Sequence, residues 1–201
     1  MKWFLFYPEF YYFAGGMIFL FLSLAKQCDP RRAYNTALLL ALLGVGICLA
    51  SIGQQGDLFF HAYRVDLFSQ VFKAALSVGL FLIVSICSDL KGVAERHHPE
   101  FYLLLYFCTL AMMLLVSSVH VLSIYVALEL SSYSLYILVA LRRDEKLGLE
   151  ASLKYFLVGI FASAVMLFGV ALLYATTKAL YVADLIEVLP GILNTPAGVI
   201  G

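Results

Sequence analysis

The sequence predicts an all-α membrane protein, a polytopic helical bundle with six transmembrane helices. Of its residues, 63% are hydrophobic and only 13% are charged, whereas a soluble domain is about 45–50% apolar and about 25% charged. The mean hydropathy is +0.95. The apolar residues form six long runs, each long enough to cross a bilayer core. These runs lack the alternation of membrane barrel strands, so we expect helices that satisfy their own backbone groups.

The spans follow one another along a single membrane domain, 1–201. They are predicted at about 10–25, 36–52, 67–88, 101–118, 121–141 and 151–176. An aromatic belt at the membrane interface is expected around the first span, at Trp3, Phe6, Tyr7, Tyr11 and Tyr12. The second span carries small residues that would let a neighbouring helix approach closely: Ala37, Ala41, Gly44 and Gly46.

The remaining spans are separated by polar or charged connections. The loop GQQGDLFFHAYRVD precedes the third span, and SDLKGVAERHHPE precedes the fourth. A tight SSVH turn leads into the fifth, and RRDEKLG leads into the sixth. The small residues Gly159 and Ser163, four apart in the sixth span, indicate a helix contact. The tail, 178–201, contains a predicted short interfacial helix, ADLIEVL, and leads toward a further span that this sequence does not contain.

Loop charges predict the orientation of the chain. Eight basic residues lie in the loops after the first, third and fifth spans: Lys26, Arg31, Arg32, Lys91, Arg96, Arg142, Arg143 and Lys146. The opposite side holds three, Lys2, Arg64 and Lys178. Because cytoplasmic loops carry the excess of basic residues, both termini are expected on the non-cytoplasmic side.

Composition and motifs restrict the class of function. A net charge of zero argues against a nucleic-acid partner. The scattered cysteines, Cys28, Cys48, Cys87 and Cys108, are expected to be buried apolar residues rather than metal ligands or disulfides. The sequence contains no haem-attachment motif, phosphate-binding loop or metal-ligand spacing. Ion movement is therefore the predicted activity.

Glu129 is the strongest candidate for such an activity. It lies near the middle of the fifth span, where an ionisable group is costly unless water or a partner stabilises it. Tyr125, Ser132, Tyr133 and Tyr136 fall on or beside its helix face. A carboxyl group in this setting changes its proton affinity when a nearby cation moves, as a proton relay requires. The alternative is a glutamate that serves packing alone.

Lys154, just inside the sixth span, is the predicted charge partner of Glu129. In the alternative interpretation its ammonium reaches the headgroup region, and Glu150 forms only a surface pair with it. Lys73 in the third span is a further candidate, with the same headgroup alternative. Three histidines could serve proton entry or exit: His120 at the start of the fifth span, and His97 and His98 in a cytoplasmic loop. The alternative is that these histidines are interfacial or merely solvated.

Two segments carry a resemblance to a known family. LELSSYSLY, Leu128 to Tyr136, and EASLKYFLVG, Glu150 to Gly159, resemble the fifth and sixth transmembrane helices of subunit N of bacterial respiratory complex I, an NADH-quinone oxidoreductase. DLFSQVFK, Asp66 to Lys73, is similar to the start of the third helix of that subunit. Many family members have proline near the position of Ser134, and its absence here would leave this helix straighter. The resemblance covers the N-terminal part of a longer subunit. The sequence is then expected to be a fragment, a truncated reading frame, or a split gene product that a second polypeptide completes.

The resemblance implies an antiporter-like, proton-translocating subunit in the cell inner membrane. Glu129 would correspond to the family's intramembrane glutamate and Lys154 to a lysine on its sixth helix. The chain itself would carry no cofactor, while NADH, FMN, iron–sulfur clusters and quinone would be bound by partner subunits of the membrane-embedded complex. A cation/proton antiporter or membrane-bound hydrogenase subunit is a close alternative. A non-translocating membrane scaffold is an alternative of another class.

Overall fold

A computed structural model describes residues 3–24, 29–90, 92–141 and 146–192. Helix α1, Tyr7–Leu24, follows a 3-10 turn at Trp3–Phe6. The helices after it are α2 Pro30–Ala50, α3 Leu67–Ile86, α4 His98–Ser117, α5 Val121–Ala140, α6 Lys146–Thr177 and α7 Val182–Ile192. In this part of the chain, six helices are long and apolar enough to cross a membrane. The prediction of a helical polytopic membrane protein is confirmed.

Several helices begin before the first apolar residue of their span. Helix α2 begins at Pro30 rather than near 36, because the Asp29 carboxylate accepts a hydrogen bond from the Arg31 amide (3.0 Å) and proline is suited to the first turn. Helix α3 begins at 67, the predicted residue, where Asp66 and Ser69 form a reciprocal capping box. The cap and the proline therefore extend α2 beyond its apolar run, whereas the capped α3 begins where its apolar run begins.

The polar loop before α3 contains a short antiparallel hairpin that the sequence analysis did not predict. Strand β1, Gly56–Leu58, pairs with β2, Tyr63–Val65. Between them, Phe59, Phe60 and His61 have φ of 52°, 56° and 66°, in the left-handed region. Such angles are uncommon outside glycine, and they turn the chain through the hairpin loop.

Backbone bonds join this hairpin to two other connections at the same end of the bundle. The Val119 amide donates to the Ala62 carbonyl (3.1 Å), and the Val182 amide donates to the Val119 carbonyl (3.1 Å). The Val121 amide donates to the Leu180 carbonyl (2.9 Å). We call this arrangement the backbone ladder. It links the α2–α3, α4–α5 and α6–α7 connections.

The main core lies among α1 to α4. Its largest buried side chains include Tyr12, Phe19, Tyr102, Tyr106 and Met113. Tyr12 was predicted to belong to the interfacial belt, but it is fully buried and its hydroxyl donates to Ser77 Oγ (2.8 Å). The belt prediction is therefore wrong for Tyr12, because α1 turns this residue toward α3.

Helices α5 and α6 extend outward from that core. Helix α5 packs on α4, and α6 packs mainly on α5 and α7. Residues of α6 are exposed along most of its length, Ser152 being a buried exception. Helix α6 therefore presents an apolar surface, whereas α1 to α4 bury a larger share of their residues.

Two glycines of α2, both predicted to allow close helix approach, have different surroundings. A Cβ on Gly44 would lie 2.6 Å from the Tyr12 hydroxyl oxygen and 3.0 Å from its ring carbon Cζ. A Cβ on Gly46 would meet no other atom within 4 Å. The close approach of α1 and α2 thus depends on Gly44, and the prediction is not supported for Gly46.

We expect Gly44→Ala to lower the free energy of unfolding by about 1–3 kcal/mol, because the new methyl group would displace the buried Tyr12 ring. Gly46→Ala, two residues along the same helix, is the matched control and should be neutral or slightly stabilising. Thermal denaturation of the purified full chain in detergent would measure both changes. Equal melting temperatures for the two variants would contradict the role assigned to Gly44.

Candidate functional site

Glu129 is the ninth residue of α5 and is 8% exposed. The residues directly before and after it, Leu128 and Leu130, are apolar. Ser131 and Ser134, on the same helix, donate their hydroxyls to carbonyl oxygens of their own helix, those of Leu128 and Leu130. Their hydroxyl protons are therefore directed to the backbone rather than to Glu129.

Tyrosines extend from Glu129 along α5. The Tyr133 side chain, one turn further on, interacts with the Glu129 carboxylate. The rings of Tyr133 and Tyr136 meet edge to face with centroids 6.1 Å apart, and Tyr136 meets Tyr155 of α6 in the same way at 5.0 Å. We call Tyr133, Tyr136 and Tyr155 the tyrosine row. Tyr125, also predicted to lie on this face, is partly buried one turn before Glu129.

The predicted pair of Glu129 and Lys154 is not formed in this structure. Lys154 Nζ instead donates to Glu150 Oε1 (2.6 Å), and the side chains of Lys154 and Glu150 are 72% and 60% exposed. The packing of α5 on α6 explains the separation. Tyr136 meets Tyr155, so Lys154 lies near the level of residue 137 on the antiparallel α5, roughly 12 Å along the axis from Glu129.

A groove of about 490 Å³ lies between α5 and α6, beside the tyrosine row. It is lined by Tyr133, Tyr136, Ile137, Ala140, Leu149, Ser152, Leu153 and Phe156. The groove occupies part of the axial interval between Glu129 and Lys154. The tyrosine row therefore provides a chain of ring contacts between the levels of the two charges.

The histidine candidates lie at opposite ends of the bundle. His120 precedes α5 and its ring meets Tyr181 edge to face at 5.0 Å. His97 Nδ1 is 2.7 Å from Glu100 Oε2, and Ser23 donates to the other oxygen of Glu100 at 3.2 Å. His98 is the first residue of α4. His97 thus joins a polar contact between the end of α1 and the start of α4.

Three of the four cysteines fall in the described residues, and all three are free. Cys48 is buried, while Cys87 and Cys108 are partly buried. This agrees with the prediction that these residues are not disulfide-bonded. Cys28 lies outside the described residues.

A second charged site lies between α1, β2 and α3. Lys73 Nζ is 2.8 Å from Glu9 Oε1, and both side chains have no solvent exposure. The Tyr63 hydroxyl donates to the same Glu9 oxygen (2.5 Å), and Lys73 Nζ donates to the Tyr63 hydroxyl oxygen (3.0 Å). We call these three residues the Glu9 triad. The alternative in which Lys73 extends to the headgroup region is wrong, because Lys73 is directed inward to a carboxylate.

Burial determines the chemistry of the triad. Desolvation, followed by the charge of the Glu9 carboxylate, raises the pKa of the Tyr63 hydroxyl well above its usual value. Tyr63 therefore keeps its proton and acts as a donor. An ion pair removed from water is stabilised only when further hydrogen bonds satisfy its remaining atoms. Here Glu9 Oε2 is buried and has no hydrogen-bond partner.

Other polar groups surround the triad. Gln70, one turn before Lys73, accepts from Ser51 Oγ (2.9 Å), but its Nε2 is buried and unpartnered. Ser117 Oγ is also buried without a hydrogen-bond partner, and this serine interacts with Tyr63. The described residues thus bring three unsatisfied polar atoms near one buried ion pair. Such groups are usually satisfied by ordered water.

Sequence reasoning missed Glu9 because the first span was placed at about 10–25. The structure begins α1 at Tyr7, so Glu9 lies inside the helix rather than before it. The available signal was the segment YPEFYYF, in which a single carboxylate stands among aromatic residues. Proline at the second helical position would have indicated an earlier start.

Comparisons with known proteins agree with this architecture. A family model described as NADH:quinone oxidoreductase/Mrp antiporter, transmembrane, matches residues 118–200. NADH-quinone oxidoreductase subunit N 2 of Syntrophobacter fumaroxidans is 55% identical over 201 residues, covering 100% of this chain and 43% of the relative. The protein of the same name from Opitutus terrae is 34% identical, covering 98% of this chain and 41% of the relative.

Solved structures show the same fold. A chain of respiratory complex I from Thermus thermophilus with bound aureothin superposes with a TM-score of 0.72 at 29% identity, over 96% of this chain and 45% of that one. A chain of the archaeal membrane-bound sulfane sulfur reductase superposes with a TM-score of 0.75 at 20% identity, over 98% and 41% respectively. The second likeness concerns the fold alone.

The chain spans less than half the length of these relatives. The match to the Syntrophobacter fumaroxidans protein covers the whole chain, so it spans the α5 and α6 segments that carried the resemblance in sequence. Over its whole length the chain is therefore similar to part of NADH-quinone oxidoreductase subunit N, and the likeness agrees with its six membrane-spanning helices.

Proposed function

We propose that this chain is part of a proton-translocating membrane-arm subunit of NADH-quinone oxidoreductase, in which quinone reduction drives proton pumping. One observation carries the proposal: Glu129 is buried within the apolar α5 and interacts with a phenol. A carboxyl group in such surroundings can take up and release a proton as nearby charges change.

Lys154 is the proposed source of the changing charge. In its present position it pairs with Glu150 on an exposed helix face. Exchange of Lys154 from Glu150 toward the groove would bring a positive charge closer to Glu129 and favour the ionised carboxylate. The tyrosine row supports this coupling, because it bridges the axial interval that separates Lys154 from Glu129.

The surroundings of the subunit follow from the same proposal. The excess of basic residues in three loops supports an orientation in the cell inner membrane with both termini on the non-cytoplasmic side and Lys154 toward the cytoplasmic end of α6. Other membrane-arm subunits of complex I are the proposed partners. NADH, FMN, iron–sulfur clusters and quinone would bind to partner subunits, while this chain contributes charged and hydroxyl side chains.

We expect Glu129→Gln to lower proton translocation, because glutamine keeps the shape and hydrogen-bonding capacity but cannot bind a transferable proton. The measurement is the number of protons moved per NADH oxidised by the assembled complex in proteoliposomes. Glu187→Gln, which removes an exposed carboxylate from α7, is the matched control and should pump normally. Unchanged proton yield in Glu129→Gln complexes would remove the main support for the proposal.

The family description favours a second candidate function of the same class. It names Mrp antiporters together with NADH:quinone oxidoreductase, so a subunit of a cation/proton antiporter would use the same buried carboxyl group. Proton movement driven by a sodium gradient, without NADH oxidation, would identify that function. A membrane scaffold predicts a different outcome, namely intact transport in Glu129→Gln and loss of assembly when Gly159 is enlarged.

A further inference from the structure

We propose that the Glu9 triad is a second proton-holding site, distinct from Glu129 and placed beneath the β1–β2 hairpin. The inference rests on the proposed function, since it requires a subunit that moves protons. Its structural basis is independent of Glu129. Glu9 and Lys73 form a fully buried ion pair, and one oxygen of its carboxylate is left without a partner.

The two oxygens of Glu9 have different roles in this proposal. Oε1 is occupied, because it accepts from Tyr63 and lies against the Lys73 ammonium. Oε2 is the oxygen at which a proton can bind without displacing either neighbour. Binding converts the carboxylate to a carboxylic acid and changes the net charge of the triad from zero to +1. Release of the same proton from Oε2 restores the ion pair.

The groups that face the triad favour this exchange over a permanently fixed pair. Lys73 on α3, Tyr63 on β2 and Cys48 on α2 are the titratable neighbours of Glu9 in the described residues. Tyr12 lies beyond them and donates to Ser77. The only full positive charge among these groups is that of Lys73. Its displacement by a short distance would therefore change the proton affinity of Glu9 strongly.

A cavity of about 430 Å³ lies beside the triad. It is lined by Tyr63 and also by Ser118, His120 and Ser123. The same cavity reaches Ala127, two residues before Glu129. His120 carries a titratable group at the cavity wall, next to the backbone ladder. The cavity thus lies between the Glu9 triad and the segment of α5 that carries Glu129.

Infrared difference spectroscopy of the assembled complex tests the proposal. A carboxylic acid absorbs separately from a carboxylate, so uptake of a proton by Glu9 would produce a carbonyl band during NADH oxidation. We expect that band to be absent in Glu9→Gln and the proton yield of this variant to fall. A normal proton yield in Glu9→Gln would overturn the inference. So would a Glu9→Gln difference spectrum that shows every carbonyl band of the wild-type spectrum.

Tyr63→Phe provides a variant that keeps the ion pair. It removes the hydrogen bond to Oε1 that stabilises the carboxylate, so Glu9 should protonate at a pH about one to two units higher than in the wild type. An unchanged pH midpoint would contradict the assigned geometry. Glu129→Gln separates the two proposals: if it lowers the proton yield while Glu9→Gln does not, only the inference about the triad fails.

Discussion

Lys73→Met should lower the free energy of unfolding by about 3–5 kcal/mol, the usual cost of removing one partner from a buried ion pair. Glu9 would remain in a site with no solvent exposure, where its carboxylate has no cation and must either stay charged or bind a proton. Thermal denaturation of the purified full chain, compared with the wild type at the same pH, would measure the loss.

The exposed ion pair provides the matched control. Lys154→Met removes a lysine of the same kind from an i,i+4 pair whose side chains are mostly solvent-accessible, so no measurable change in stability is expected. The double variant Glu9→Met/Lys73→Met should recover much of the stability lost by Lys73→Met, because neither charge remains buried. Equal losses for Lys73→Met and Lys154→Met would contradict the buried position of the Glu9 triad.

Gly159→Leu should disrupt the packing of α5 on α6, at a cost at the upper end of over-packing, about 3 kcal/mol. A Cβ at Gly159 would overlap the hydroxyl of Tyr136. The Tyr136 ring cannot move aside freely, since it is buried and packs against both Tyr155 and Phe156. Cross-linking between engineered cysteines on α5 and α6 would detect the separation of the helices, alongside a lower melting temperature.

Gly79→Leu is the matched control for this variant. Gly79 lies in α3, and a Cβ there would meet no other atom within 4 Å. The same added side chain should therefore be tolerated. Replacing Tyr136 with alanine in the Gly159→Leu background should restore part of the helix contact, because it removes the ring that the leucine displaces. Failure of this double variant to recover stability would place the defect elsewhere.

The six helices could be predicted from the sequence because hydropathy and span length are local properties. The helix starts were less accurate, since capping by Asp29 and proline at position 30 extend α2 through residues that are not apolar. The hairpin was missed for another reason. Its two strands have three residues each, their buried side chains pack against Leu5, and the backbone ladder joins the hairpin to Val119, so its contacts are with residues distant in the sequence.

The candidate site was only partly predictable. Glu129 could be predicted because a carboxylate within an apolar run is visible in the sequence alone. Pairing is a property of the packed structure: Lys154 and Glu129 are near in the sequence pattern but differ in axial level on antiparallel helices. Glu9 and Lys73 are 64 residues apart and meet only because α1 and α3 lie together in the fold.

The backbone ladder also restricts how the helices can move relative to one another. It fixes the start of α5 at residues 119–121 and the chain just after α6 at residues 180–182. A tilt of α6 against α5 must then pivot at that end, and displacement grows with distance from the pivot. Glu129 lies roughly 13 Å from it, whereas Lys154, which is level with residue 137 of α5, lies roughly 25 Å away. A small rocking motion would therefore displace Lys154 more than Glu129. It would change the distance between the lysine ammonium and the glutamate carboxylate, and with it the electrostatic potential at Glu129.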